Sequence, residues 1–528
     1  MPFLTRRSQP VSKSPAKPDV ALPRVNTSLS ALPTNKFGYE QARHLLWRAG
    51  FGGTPQQIQT LVGWGLEKSV DHLLNPGNTG EEPIRPDRFD SSIMRPANEE
   101  EKQAYRKAQK AQNEDLVAKF RKMKQEQERK DREQINDMQK WWLKKMIETP
   151  RPLEEKMTLF WHGHFATSYR TIENSFHMFK QNQLFRTHAL GNFGDLLFGI
   201  IRDPAMLAYL NNNQSRKDHP NENLAREIME LFSLGVGRYT EKDIKEGARS
   251  LTGYTFKDDD FVFDRNNHDT AKKNILGKIG NSDGDDFVRI ILGQRDCAQF
   301  MARKLYGFFV NDLPPLERQS DRDLDDGIGT VIHQIAATLL TQRYELKPTL
   351  KQILSSQHFY DPAFMGQQIK SPVQLLVGAV RSMTPPTRDL SILNDALDLM
   401  GQNLFFPPSV KGWEGGRAWI NTSTLFVRQN ILAFLLTGKK PVGYDATADT
   451  QKYDPMPLLA ELEKADPGAN SDPSRVTEYL LRLTTGSAPA SARDPLVSFV
   501  NERGGHITPD LVTALLLLIT ATPEYQLC

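Results

Sequence analysis

Two histidines, two residues apart in Leu159-Phe-Trp-His-Gly-His-Phe-Ala-Thr-Ser168, are the first side chains in this sequence that could do chemistry. His-x-His is a spacing that metal sites use, and the neutral imidazole is the commonest nitrogen ligand. On an unbroken helix His162 and His164 would point about 200° apart. Gly163 between them predicts a helix end there, which would let both rings converge on one point. Packing beneath the neighbouring aromatics is the other role open to the pair.

Carboxylates come next, in Asn221-Glu-Asn-Leu-Ala-Arg-Glu-Ile-Met-Glu-Leu-Phe-Ser-Leu-Gly235. Pro220 opens this stretch and Gly235 closes it, which predicts a four-turn helix. Leu224, Ile228, Leu231 and Phe232 then form its buried arc, and Glu227 falls inside that arc. Desolvating a carboxylate costs several kcal/mol unless it is paired. Glu227 is therefore expected to be a metal ligand, a general base or the partner of a distant arginine such as Arg48 or Arg249. Glu230 flanks it, and Glu222 with Arg226 forms an ordinary i,i+4 pair on the outer side. A third group, Phe261-Val-Phe-Asp-Arg-Asn-Asn-His-Asp269, puts His268 and Asp269 in a loop after a strand-like run, where functional side chains tend to sit. A surface turn is the alternative there. Gln402 to Trp413, followed by Glu414-Gly-Gly-Arg-Ala-Trp419, reads as a rigid aromatic loop that either walls a pocket or packs on the core.

Taken together, His162, His164, Glu227 and His268 are the candidate metal ligands, and Glu227, Glu230 and Asp269 the candidate acid–base groups. Two histidines with a carboxylate form a facial set that leaves positions open, as in non-haem iron or hydrolytic zinc chemistry. The oxygen donors argue against copper(I) and the nitrogens against calcium or magnesium. Iron, zinc or manganese remains as the expected cofactor. No phosphate loop, dinucleotide glycine motif, Gly-x-Ser-x-Gly, His-Glu-x-x-His or Cys-x-x-Cys-His occurs, so nucleotide, flavin, lipase, zincin and covalent-haem readings drop out.

The elements that would position these groups are nearly all helical. The sequence is expected to fold mainly as α, with one large multi-helical body, a projecting charged helical arm and very little strand. Residues 1–36 read as a disordered basic tail. Residues 37–97 form an N-terminal helical segment, with Thr54 and Pro55 starting its second helix. Residues 98–148 have strong helix formers throughout and no Gly or Pro, but the apolar face lapses from Gln125 to Gln134. That pattern predicts an arm rather than a coiled coil, since the heptad core is missing. A helical core with the candidate site follows at 149–440, then a linker at 441–474 and C-terminal helices at 475–528. Only Phe261-Val262-Phe263 looks like strand.

Composition narrows the classes further. Of 528 residues, 38% are apolar and 25% charged, which suits a folded chain. Two cysteines, Cys297 and Cys528, cannot build a disulfide scaffold, an iron–sulfur cluster or a Cys-ligated zinc domain. A net charge of +3 over this length argues for neither nucleic acid nor an anionic membrane. The apolar run Leu511 to Ala521 is too short to span a bilayer. Arg6-Arg7 invites a twin-arginine export reading, but no apolar region follows, so a cytoplasmic location is the default expectation.

In this order the segments resemble the bacterial domain-of-unknown-function family 1800. The phrases that carry it are HLLWRAGFGGTP (44–55), RPLEEKMTLFWHGHFATS (151–168), NENLAREIMELFSLGVGRYT (221–240), LTGYTF (251–256), HDTAKKNILG (268–277), IKSPVQLLVGAVR (369–381) and FPPSVKGW (406–413). The resemblance covers about residues 37–528. It implies no assigned activity. It does imply a relation to exported proteins and to a sulfatase-like companion, family 1501, whose members tend to carry export signals; export would then need that signal-bearing partner. The chain departs from the pattern in its long charged arm at 98–148 and in lacking a signal of its own. A metal-dependent enzyme, hydrolytic or oxidative, is the leading expectation. A non-catalytic helical partner or scaffold for the companion, using the arm and the tail, is the alternative.

Overall fold

Helix starts in this chain are written in single residues. Thr54 accepts from the Gln57 backbone N–H and Pro55 occupies the first turn, so the helix Pro55–Leu74 begins where the pattern places it. The break before it is Gly50 to Gly53, after the helix Tyr39–Arg48. In this computed structural model residues 25–77, 79–82, 84–85, 87–314, 327–440 and 449–528 are described. Most of the basic tail and the first eight linker residues lie outside them. Among the described residues there are 22 α-helices and two small antiparallel two-stranded sheets. The chain is mainly α.

The centre of the body is the helix Pro152–His164, in which 11 of 13 residues are buried. A helix apolar or packed on all sides belongs in the middle of a large core rather than on its surface. It lies between the second half of the helix Glu114–Glu148 and the helix Ser175–Thr187. Its two buried charges are treated differently. Glu155 takes the Arg186 guanidinium at 2.6 and 2.9 Å and the Trp142 indole N–H at 2.8 Å. Burial would raise its carboxyl, but Arg186 outweighs that and holds it below the usual range. Lys156 has no carboxylate beside it among the described residues; its ammonium lies over the Phe51 and Phe308 rings at 5.2 and 5.4 Å.

The charged stretch becomes two antiparallel helices, Glu99–Lys110 and Glu114–Glu148. They pack on each other through Ala108 and the Tyr105–Phe120 ring pair. Every residue from Gln109 to Lys130 has some exposure, so this end stands away from the body. From Asp131 onward the long helix is core: Ile135, Met138, Trp142, Leu143 and Met146 are buried. The lapse of the apolar face marks where the arm leaves the body.

Three local expectations differ from the structure. Gly163 does not end its helix, which runs through His164. The stretch after Pro220 is not a four-turn α-helix but a short α-helix, Asn223–Glu227, followed by a π-helical turn, Ile228–Ser233. Strand is also more extensive than one apolar triplet: Tyr254–Lys257 pairs with Asp260–Phe263, and Lys273–Ile275 with Lys278–Gly280. The second hairpin has no alternating apolar run to announce it, and the packing of Lys273 and Ile275 on the helix Glu241–Ser250 holds it.

Candidate functional site

Because the helix Pro152–His164 continues past Gly163, its two histidines face different walls of the core. His162 sits among Trp142, Phe405 and Trp413. The Phe405 backbone N–H donates to its Nε2 at 3.0 Å, so that nitrogen has no lone pair left for a metal. Phe405 needs the support: it is a non-glycine residue at φ 66, in the sterically disfavoured left-handed region. His164 lies on the other side, against Phe160, Phe165, Phe232 and Phe300. Its Nε2–H donates to the Phe232 carbonyl at 3.0 Å, which leaves Nδ1 as a buried lone pair with no partner. Burial pushes both imidazoles down to about 3, with Lys304 adding to the effect at His164, so both are neutral.

The Phe232 carbonyl belongs to the π-helical turn. There Leu234 N–H reaches back five residues to Met229, and the Ser233 hydroxyl donates to the Ile228 carbonyl at 2.5 Å. Each such turn rotates the residues after it relative to an α-helix, and π-turns concentrate at functional sites. Here it places Glu227 and Glu230 half-buried, one just before the turn and one within it. The Tyr239 phenol donates to Glu230. Glu227 enters no ion pair among the described residues; Arg249 is taken by Asp269 and Glu246, and Arg48 by the Phe309 and Val310 carbonyls. Burial raises the Glu227 carboxyl, the Glu230 charge raises it further, and Arg226 and Lys411 only partly offset that. Glu227 in turn adds to the burial that lifts the Tyr209 phenol. Arg226 faces away, bonding Glu222 at 3.2 Å and Glu241 at 2.8 Å.

Lys411 arrives on the aromatic loop. Gly412, at φ 75, passes so close to the histidine helix that a Cβ there would lie 2.1 Å from the Gly163 carbonyl oxygen. Only glycine fits that approach. Trp413 covers Gly163, and its indole N–H is buried without a partner. The histidine helix, the π-turn and the aromatic loop thus meet in one place.

The third sequence group stays outside this meeting point. His268 Nδ1–H bonds the Thr252 carbonyl at 2.9 Å beneath Phe263. Asp269 bonds Arg249 at 2.7 Å, and although burial would raise its carboxyl, those bonds hold it low. Asp264 caps its own turn at Asn266. These side chains fasten the loop after the first β-hairpin. Among the described residues no group of three or more His, Cys, Asp or Glu is placed to hold one metal ion. Glu227 and Glu230 stand out in the sequence; Tyr209, Tyr239 and Lys411, which the fold brings beside them, do not. Pro407 and the closely spaced glycines around Lys411 were the one available hint.

A family model described as protein of unknown function (DUF1800) matches residues 44–527. No curated protein and no solved structure matches the chain.

Proposed function

Because the chain belongs to the DUF1800 family over nearly its whole length, and membership brings no activity with it, we propose from the site itself that the protein is a hydrolytic enzyme working by proton transfer at the Glu227–Glu230 pair. The observation that carries this reading is the placement of two half-buried carboxylates three residues apart across a π-helical turn, with Glu227 held toward its protonated form by burial and by its neighbour. A general acid or base works best when its proton affinity lies near the working pH, and environments that push two carboxyls apart assign their roles. Glu227 holds and moves the proton. Glu230, fixed by the Tyr239 phenol, supplies the adjacent charge. Lys411 adds a cation that could meet an anionic group or developing negative charge on a substrate. The reading uses no metal, since among the described residues no three His, Cys, Asp or Glu side chains are grouped to hold one. The alternative of a non-catalytic partner draws on the projecting hairpin, whose chemistry is separate.

Carbon-13 titration of the glutamate carboxyls tests the proposal directly. One signal should titrate above the ordinary carboxylate range, disappear in Glu227→Gln and move down in Glu230→Gln. A Glu227 that titrates with the surface carboxylates overturns it. Chromogenic esters, phosphoesters and glycosides then identify the substrate class, and turnover that survives unchanged in Glu227→Gln also overturns it.

A further inference from the structure

The near-neutral charge of the chain conceals a local segregation. Residues 102–124 contain eight Lys or Arg and two acidic residues, a net +6, whereas the whole chain carries +3. These 23 residues run from the first turn of the helix Glu99–Lys110 round the hairpin into the start of Glu114–Glu148. Arg106, Lys107, Lys110, Lys119, Arg121 and Lys122 are all exposed. None of the six has a carboxylate within ion-pairing distance among the described residues, although the same hairpin pairs Lys102 with Glu99 and Arg129 with Glu126 nearer the body. Arg106 and Lys122 feel Glu99 and Glu126 at longer range, but like charges gathered on one small element without ion pairs still repel one another. An external anion relieves that repulsion.

We propose that this hairpin end is a docking surface for an anionic lipid bilayer. Three features select a bilayer over other polyanions. The helical stretch Glu114 to Lys130 rises about 25 Å with no fully buried side chain, so a flank of the hairpin is open to lie along a plane. Met123, 49% exposed, lies between Lys122 and Lys124 and offers a thioether to the headgroup boundary while the flanking ammonium groups reach the phosphates. Tyr105 and Phe120, the aromatic residues of the segment, are locked edge-to-face at 5.5 Å and are not free to stack on bases, as single-stranded nucleic-acid binding would need. No helix of the described residues is long and apolar enough to cross a membrane, so the contact is peripheral.

Sedimentation of the full chain with vesicles tests this. Binding should be strong to phosphatidylcholine containing roughly 30% phosphatidylglycerol, absent with phosphatidylcholine alone, and lost at 1 M salt, where the screening length is about 3 Å. At roughly fivefold per basic side chain, Arg106→Gln, Lys110→Gln and Lys122→Gln together should weaken binding on the order of 100-fold. Their positions make them neutral for folding, which the melting temperature checks, and Arg493→Gln with Arg503→Gln, remote from the hairpin, should leave binding unchanged. Equal binding to neutral vesicles, no effect of the triple change, or binding of duplex DNA in place of anionic vesicles each overturns the proposal.

Discussion

Lys156→Met is the substitution whose effect the structure specifies most closely. The ammonium is buried in the central helix over aromatic faces and in no ion pair among the described residues; burial lowers its pKa from 10.5 to about 7, with Arg48 adding to the shift and Cys528 opposing it. The folded pKa lies below the unfolded one, so between these values the unfolded chain binds the extra proton and stability rises with pH. At pH 6 both states are charged and the native state bears the whole penalty, about 5 kcal/mol for this shift. At pH 9 the native amine is neutral and the residual penalty is about 2 kcal/mol. Attraction to the Phe51 and Phe308 faces, about 1–2 kcal/mol, works the other way and is lost with the charge. Methionine keeps the length and most of the volume of the stem. Urea unfolding should therefore show the variant more stable by about 2–4 kcal/mol at pH 6, with the gain shrinking by about 2–3 kcal/mol at pH 9. A variant less stable than the parent at pH 6, or a gain equal at both pH values, would refute the reasoning.

Glu227→Gln should leave stability unchanged near pH 4 and raise it near pH 8, because a carboxyl whose folded pKa is raised loses its contribution as pH climbs through that value; denaturant midpoints at the two pH values decide it. His162→Ala should cost about 1–3 kcal/mol for the stranded Phe405 N–H, plus a cavity contribution, and a change under 1 kcal/mol would remove the anchoring role. Replacing residues 100–126 by a short Gly-Ser turn should shift the melting temperature by a few degrees at most, since Ala108 is the one buried residue there, whereas a cut extended to Met146 should unfold the body.

Much of the architecture was readable one residue at a time. Thr54 and Pro55 mark a helix start because a cap side chain and a locked φ act within one turn. The lapse of apolar residues at Gln125–Gln134 located the point where the long helix leaves the core, because burial is what an apolar face is for. Glu227 was legible as an oddity, a carboxylate on an apolar arc. Gly163 was misleading: it permits a helix end but does not require one, and here it is the absent Cβ of Gly412 that lets the aromatic loop close over the Gly163 carbonyl. With the helix running one residue further, through His164, the two histidines reach different walls.

The helical class, some of the helix starts and the presence of a charged arm are written in the amino-acid order, because each rests on interactions between residues a few positions apart. Which charges share an environment depends instead on the packed fold. Glu155 meets Arg186 across 31 positions and Glu227 feels Lys411 across 184, while Lys156, one residue from Glu155, lies over two rings and feels Cys528 and Arg48 instead. The proton affinity of a buried group depends on solvent exclusion and on charges within a few ångströms, and neither quantity has any fixed relation to distance along the chain.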